Sequence, residues 1–187
     1  HNTYDFENRL KHAKQTPPLS PNHTFTVTIN YKYDALGRRV ERTHSNGNVQ
    51  RYVYDGQDVI EDLDENDQVV TSYINGPGID NKLRQTDGTN GDLYFSTDHL
   101  GSTTALTGHH GNVVENIAYD SFGNSSGSAY TRYTYTGREF DVDTGVYYYR
   151  ARWYDPQVGR FLSEDPIGLG GGTVSYTHLR AHETKAN

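Results

Sequence analysis

Asp98, His99 and Ser102 supply an acid, a base and a hydroxyl within one short stretch. Nucleophilic catalysis needs these three types, but it needs the base placed in space between the acid and the nucleophile. Three residues around a single glycine, Gly101, seldom converge that way, so this stretch is read as a turn, with Ser102 capping a short helix. His109 and His110 lie between Gly108 and Gly111 in an expected hairpin tip. Neighbouring side chains at a strand end point to opposite faces, and a shared metal is not expected. The acidic run Glu61-Asp62-Leu63-Asp64-Glu65-Asn66-Asp67 lacks the alternating ligand order and central Gly of a calcium loop. It reads as a solvated turn. His178 and His182 have helical spacing, but Glu183 does not stand where a metalloprotease helix needs its base, and they receive no role. Tyr130, Tyr133, Tyr135, Tyr147, Tyr148, Tyr149 and Tyr154 form an aromatic concentration. Flat rings bordered by hydroxyls suit sugars, which leaves a glycan-binding module as an alternative; core packing explains the same residues more simply. No cofactor or metal is implied.

The chain has 187 residues, enough for one ordinary domain or a slice of a repeat array. Its formal net charge is −7, and no Lys/Arg block provides the positive field that phosphate backbones require, so nucleic acid is not an expected partner. No stretch approaches the roughly 20 apolar residues of a membrane span, and residues 1–30 lack the basic-then-apolar order of a signal peptide. Membrane insertion is not expected. With no cysteine, disulfides and thiolate chemistry are excluded. The absence of methionine and a start at His1 lead us to expect a piece of a longer chain. Sixteen tyrosines and one tryptophan point to a core built from tyrosine, each hydroxyl needing a partner.

Internal repetition supplies the architecture. Tyr33-Asp34-Ala35-Leu36-Gly37-Arg38 recurs as Tyr119-Asp120-Ser121-Phe122-Gly123 and, degraded, as Tyr4-Asp5-Phe6-Glu7-Asn8-Arg9; Tyr54-Asp55-Gly56 is a shorter relative. Gly supplies positive φ in all but the degraded copy, where Asn8 replaces it and still tolerates a left-handed backbone, and Asp accepts from turn amides. Phe25, Val27, Ile29, Tyr31 and Tyr33 alternate with Thr24, Thr26, Thr28, Asn30 and Lys32, which predicts a half-buried strand from Phe25 to Tyr33. Val49–Tyr54, Val69–Ile74, Val113–Tyr119, Tyr130–Thr136 and Val146–Tyr154 read as further strands, rich in β-branched and aromatic residues. Asn46-Gly47, Asn75-Gly76, Asp87-Gly88 and Asn90-Gly91 read as tight turns. The class is all-β: consecutive antiparallel hairpins with helix almost absent.

An ordered set of stretches follows: Asp98-His99-Leu100-Gly101-Ser102, Tyr119-Asp120-Ser121-Phe122-Gly123, Tyr135-Thr136-Gly137-Arg138-Glu139, Tyr147-Tyr148-Tyr149-Arg150-Ala151-Arg152-Trp153-Tyr154-Asp155-Pro156, Gly159-Arg160-Phe161 and Asp165-Pro166-Ile167-Gly168-Leu169. In this order they resemble the Rhs/YD-repeat proteins and their repeat-associated core. The resemblance implies a strip of hairpins spiralling into a hollow shell whose C-terminal end is closed by the core. It also implies a partner, an enclosed C-terminal toxin segment of the parent chain, in bacterial proteins that are secreted or held at the cell surface, with secretion machinery as a further partner.

That family's core carries an aspartyl self-cleavage activity. Two close carboxylates suit it, since one stays protonated as acid while the other activates water. The family pattern falls on Arg152, which would steady charge, and on Asp165; the second Asp-Pro-x-Gly-Leu stretch, with the partner Asp, is not in this sequence. No turnover is therefore expected of this chain, whereas the full-length parent would self-cleave. Residues 1–30 read as a degenerate repeat end and 31–172 as YD repeats plus core. Residues 173–187 follow none of the preceding patterns and are similar to translated sequencing adapter, so they are read as non-native. A slice of open-edged shell is expected to associate in isolation.

Overall fold

The computed structural model describes residues 2–5, 9–15, 27–125 and 127–164. Eleven strands form one antiparallel meander in strict chain order: β1 (Asn2–Tyr4), β2 (Leu10–Gln15), β3 (Val27–Tyr33), β4 (Arg39–His44), β5 (Val49–Asp55), β6 (Asp58–Leu63), β7 (Val69–Asn75), β8 (Lys82–Asp87), β9 (Gly91–Thr97), β10 (Thr103–Gly108) and β11 (Val113–Asn116). A second meander follows: β12 (Glu139–Asp141), β13 (Val146–Tyr149), β14 (Arg152–Asp155) and β15 (Arg160–Phe161). We call the first the ribbon, and the second, with residues 127–138 leading into it, the cap.

The turns explain why a short motif recurs. In Asp34, Asp64, Asp98 and Asp120, one carboxylate oxygen accepts from the backbone N–H two residues on and from the N–H four residues on, at 2.8 to 3.0 Å. The position three residues after the Asp is left-handed in each: Gly37, Asp67, Gly101 and Gly123. Turn and capping acceptor therefore come from one residue. The tyrosine of the pair has a different task. Tyr33 donates its hydroxyl to the Leu10 carbonyl at 2.7 Å, Tyr54 to Arg39 at 2.8 Å and Tyr119 to Thr103 at 2.6 Å. Arg39 and Thr103 each lie one residue beyond an earlier turn of this kind, and Leu10 follows Arg9, whose N–H donates to the Asp5 carboxylate, so tyrosine ties a repeat to its predecessor. Arg9 and Arg38 complete the link by binding Asp5 and Asp34 while lying 4.9 and 5.0 Å over the Tyr33 and Tyr54 rings.

Alternation along β3 holds where it is described: Ile29 and Tyr31 are buried, Asn30 and Lys32 exposed. Phe25 lies outside the described residues. Several expectations need correction. Tyr130–Thr136 is not a strand; it has one bridge, Tyr133 to Glu139, followed by a 3-10 turn at Tyr135–Gly137. Val146–Tyr154 is two strands, reversed at Arg150 in a left-handed backbone. Asn75-Gly76 opens a wider loop reaching Lys82, and in the turn from Asp87 only Gly91 has positive φ.

The cap lies on one face of the ribbon. Leu10, Ala13, Ile29 and Tyr31 pack with Val146, Tyr148 and Trp153, and Tyr52, Val59 and Tyr73 with Tyr133. Tyr135, Tyr147, Tyr149, Tyr154 and Phe161 form the cap's own core.

Candidate functional site: the seam between ribbon and cap

Strand pleating puts Arg39 and Asp62 of the ribbon on the face that meets Arg132 and Glu139 of the cap. The four alternate in sign across the seam. Arg39 binds Glu139; Arg132 donates Nε–H to Glu139 at 2.7 Å and forks onto Asp62, with one arm at 2.8 Å. Tyr73 donates its hydroxyl to Asp62 at 2.8 Å. Arg39 is 2% exposed, and its guanidinium lies 4.6 Å from the Tyr52 ring centroid and 4.5 Å from that of Tyr148. Burial alone would raise the Glu139 carboxyl, but Arg39 and Arg132 more than reverse this and hold it below the usual range. A second knot lies alongside: Arg42 donates to Asp141 at 2.9 and 3.1 Å and also binds Asp143, while the Tyr31 hydroxyl donates to Asp141 at 2.7 Å. Asp141 is likewise held low, Arg42 outweighing burial.

A third knot is strained. Asp80 receives Arg138 and Arg150 at 2.8 and 2.7 Å, and its N–H donates to Asp58 at 2.9 Å. Asp80, Thr136 and Arg150 are three of the four non-glycine residues with positive φ among those described. All three meet here, since Gly137, beside Thr136, abuts the Asp80 carbonyl. Such backbone persists where surroundings over-determine it. Burial keeps the Asp80 carboxyl above its ordinary value, despite both arginines.

Of the residues singled out by sequence, Asp62, Tyr133 and Tyr148 meet at the seam. Arg152 lies in β14 with its guanidinium 3.6 Å over the Phe161 ring. Asp165 and the stretch 173–187 lie outside the described residues. Asp98 caps its own turn, and Ser102 accepts the Thr136 N–H at 3.0 Å, so it caps the short 3-10 turn from across the fold. His109 and His110 occupy the tip between β10 and β11, with ring centroids 5.3 Å apart; strand alternation does not govern a turn, and the expected opposite faces are not seen. Among the described residues no group of three His, Asp or Glu is placed to hold a metal, and no helix is long and apolar enough to cross a membrane. Tyr133, Tyr135, Tyr147, Tyr148, Tyr149 and Tyr154 are buried, which removes them as an open sugar platform; Tyr130 is half-buried. Asp62 corrects the reading of the acidic run. Only Asp64 and its followers form a solvated turn, whereas Asp62 is 1% exposed beneath the cap. Sequence reasoning missed Arg39, Asp62, Arg132 and Glu139, because each finds its opposite charge 70 or more residues away or in a segment with no regular strand pattern.

Comparison with known proteins places this geometry. The family model described as Teneurin YD-shell matches residues 22–169. The tRNA3(Ser)-specific nuclease WapA of Bacillus spizizenii is 35% identical over 173 residues, covering 88% of this chain and 7% of that protein. Double-stranded DNA deaminase toxin A of Burkholderia cenocepacia is 27% identical over 210 residues, covering 93% of this chain and 14% of that one. In fold, the crystal structure of TcdB2-TccC3-Cdc42 superposes with a TM-score of 0.72 at 20% identity, over 99% of this chain and 10% of that one. The chain thus spans a small part of the relatives it matches.

Proposed function

The chain belongs to the Teneurin YD-shell family, and from that premise we propose that it is the closing end of a hollow β-shell that walls off a C-terminal toxin segment of its parent protein. It is a structural segment of an Rhs-type toxin protein; the enclosed polypeptide is the further step. One observation carries this reading. The cap covers one face of the ribbon through buried, paired charges, while β1 and β11 each leave an outer edge without a strand partner among the described residues. Open ladders at both ends suit a segment continued by further hairpins, and a seated cap suits a terminus. Bacterial export to the exterior or cell surface, through secretion machinery, follows from the same proposal.

For the parent we also propose aspartyl self-cleavage, with Asp165 as one carboxylate, Arg152 as the supporting cation and a second Asp beyond this sequence. The test is expression of the complete reading frame. Two bands that merge into one on Asp165→Asn support cleavage, and two bands that persist remove Asp165 from the role. Enclosure is read separately: the C-terminal segment should resist protease until the shell is denatured, and a segment digested from the native protein overturns the proposal.

A further inference from the structure

Beneath the cap, β7 and β8 bring Asn75 and Lys82 opposite each other as Cα partners. Lys82 is 4% exposed, and its Nζ lies 2.6 Å from Asn75 Oδ1 and 3.1 Å from the Val59 carbonyl. The Asn75 amide nitrogen donates to that same carbonyl at 3.3 Å. One backbone oxygen therefore holds the amine and the amide nitrogen together. The rings of Tyr73 and Tyr133, with centroids 5.4 and 4.6 Å from Nζ, flank the amine.

We propose that Lys82 and Asn75 join as an intramolecular isopeptide bond. The lone pair of the uncharged Lys82 amine attacks Asn75 Cγ and forms the new N–C bond. The Cγ–Nδ2 bond then breaks, the attacking nitrogen passes one proton to Nδ2, and ammonia leaves. Nothing is oxidised or reduced, and no co-reactant is needed. Three features favour the step. Burial lowers the Lys82 ammonium to about 8, so a useful fraction is uncharged near neutrality. Lys82 and Val59 line a cavity of about 20 Å³, room for one water, shared with Asp58 and Asp80. The Asp58 and Asp80 carboxylates on that cavity can take up, through such a water, the proton that the Lys82 ammonium must shed before it attacks. Finally, the product replaces a buried ammonium, expensive to keep out of water, with a neutral amide.

Intact mass spectrometry of the denatured full chain tests this. The expected mass is one ammonia below the sequence mass, with a branched peptide joining 75 to 82 after digestion. Asn75→Ala should restore the full mass, and Asn75→Asp should lose water instead of ammonia. Because Asn75 precedes Gly76, cyclisation on the following backbone nitrogen would also release ammonia. Lys82→Arg and Lys82→Met separate the two: both should show the full sequence mass. An unmodified chain, or a loss that survives in either Lys82 variant, overturns the proposal.

Discussion

The ribbon and the cap are held by opposite means. The Asp-capped turns of the ribbon are completed within five residues, as when Asp34 takes the amides of Leu36 and Arg38. The cap is held by charges far apart in sequence, such as Arg39 with Glu139 and Arg132 with Asp62. A repeated local motif can lengthen a sheet indefinitely, but it cannot say where the sheet ends. Ending it takes a non-repeating set of partners, and the buried seam supplies one.

The largest difference should follow loss of a seam charge. Glu139→Ala leaves Arg39 and Arg132 buried without their shared carboxylate, and we expect a loss of about 3–5 kcal/mol by chemical denaturation. A loss as small as that of an exposed turn substitution would erase the distinction between the two regions. Acid should act on the same seam. Glu139 and Asp141 have carboxyls held below their ordinary values, so the stability they contribute is present above the unfolded carboxylate range and is lost as pH falls through their lower folded values. Asp80, raised, works in the opposite sense: its contribution is present in acid and is lost as pH rises through its folded value. Denaturation midpoints from pH 7 to pH 3 should therefore fall, and Asp80→Asn should steepen the fall. A midpoint that rises in acid would contradict the assignment of the two seam carboxylates.

A glycine pair sharpens the comparison at smaller scale. Gly37 and Gly123 are both left-handed, with φ of 80° and 86°, in the same kind of turn. A Cβ at Gly37 has room, with Arg9 Nη1 at 3.6 Å, whereas at Gly123 it would strike the Tyr135 ring. Gly37→Ala should lose about 1–2 kcal/mol from backbone alone. Gly123→Ala should lose more, by an overpacking penalty of about 1–3 kcal/mol, because that turn is docked on the cap. Equal losses would mean that the Asp120 turn is no more tightly seated than a free one.

Legibility in the sequence follows the same division. The Asp-x-x-Gly turns and the alternation through Ile29 and Tyr31 could be read directly, since their causes lie within a few residues. Tyr130–Thr136 misled because aromatic and β-branched residues, typical of strands, serve there as packing around a left-handed Thr136. The reversal inside Val146–Tyr154 carries no glycine. Arg150 takes the left-handed turn itself and is anchored by Asp80, 70 residues away. Asp62 sat in what reads as a solvated acidic run because its partner, Arg132, is equally remote. Family resemblance pointed to Arg152, which lies in β14 against Phe161, and to Asp165, which lies outside the described residues.

The most direct test of the seam is a double-mutant cycle across it, with Asp62→Leu, Arg132→Met and the two combined. If ribbon and cap are joined by this buried pair, each single variant strands the other charge and the double variant should be more stable than the sum of the two losses allows, by about 2 kcal/mol or more. Losses that simply add would contradict the account.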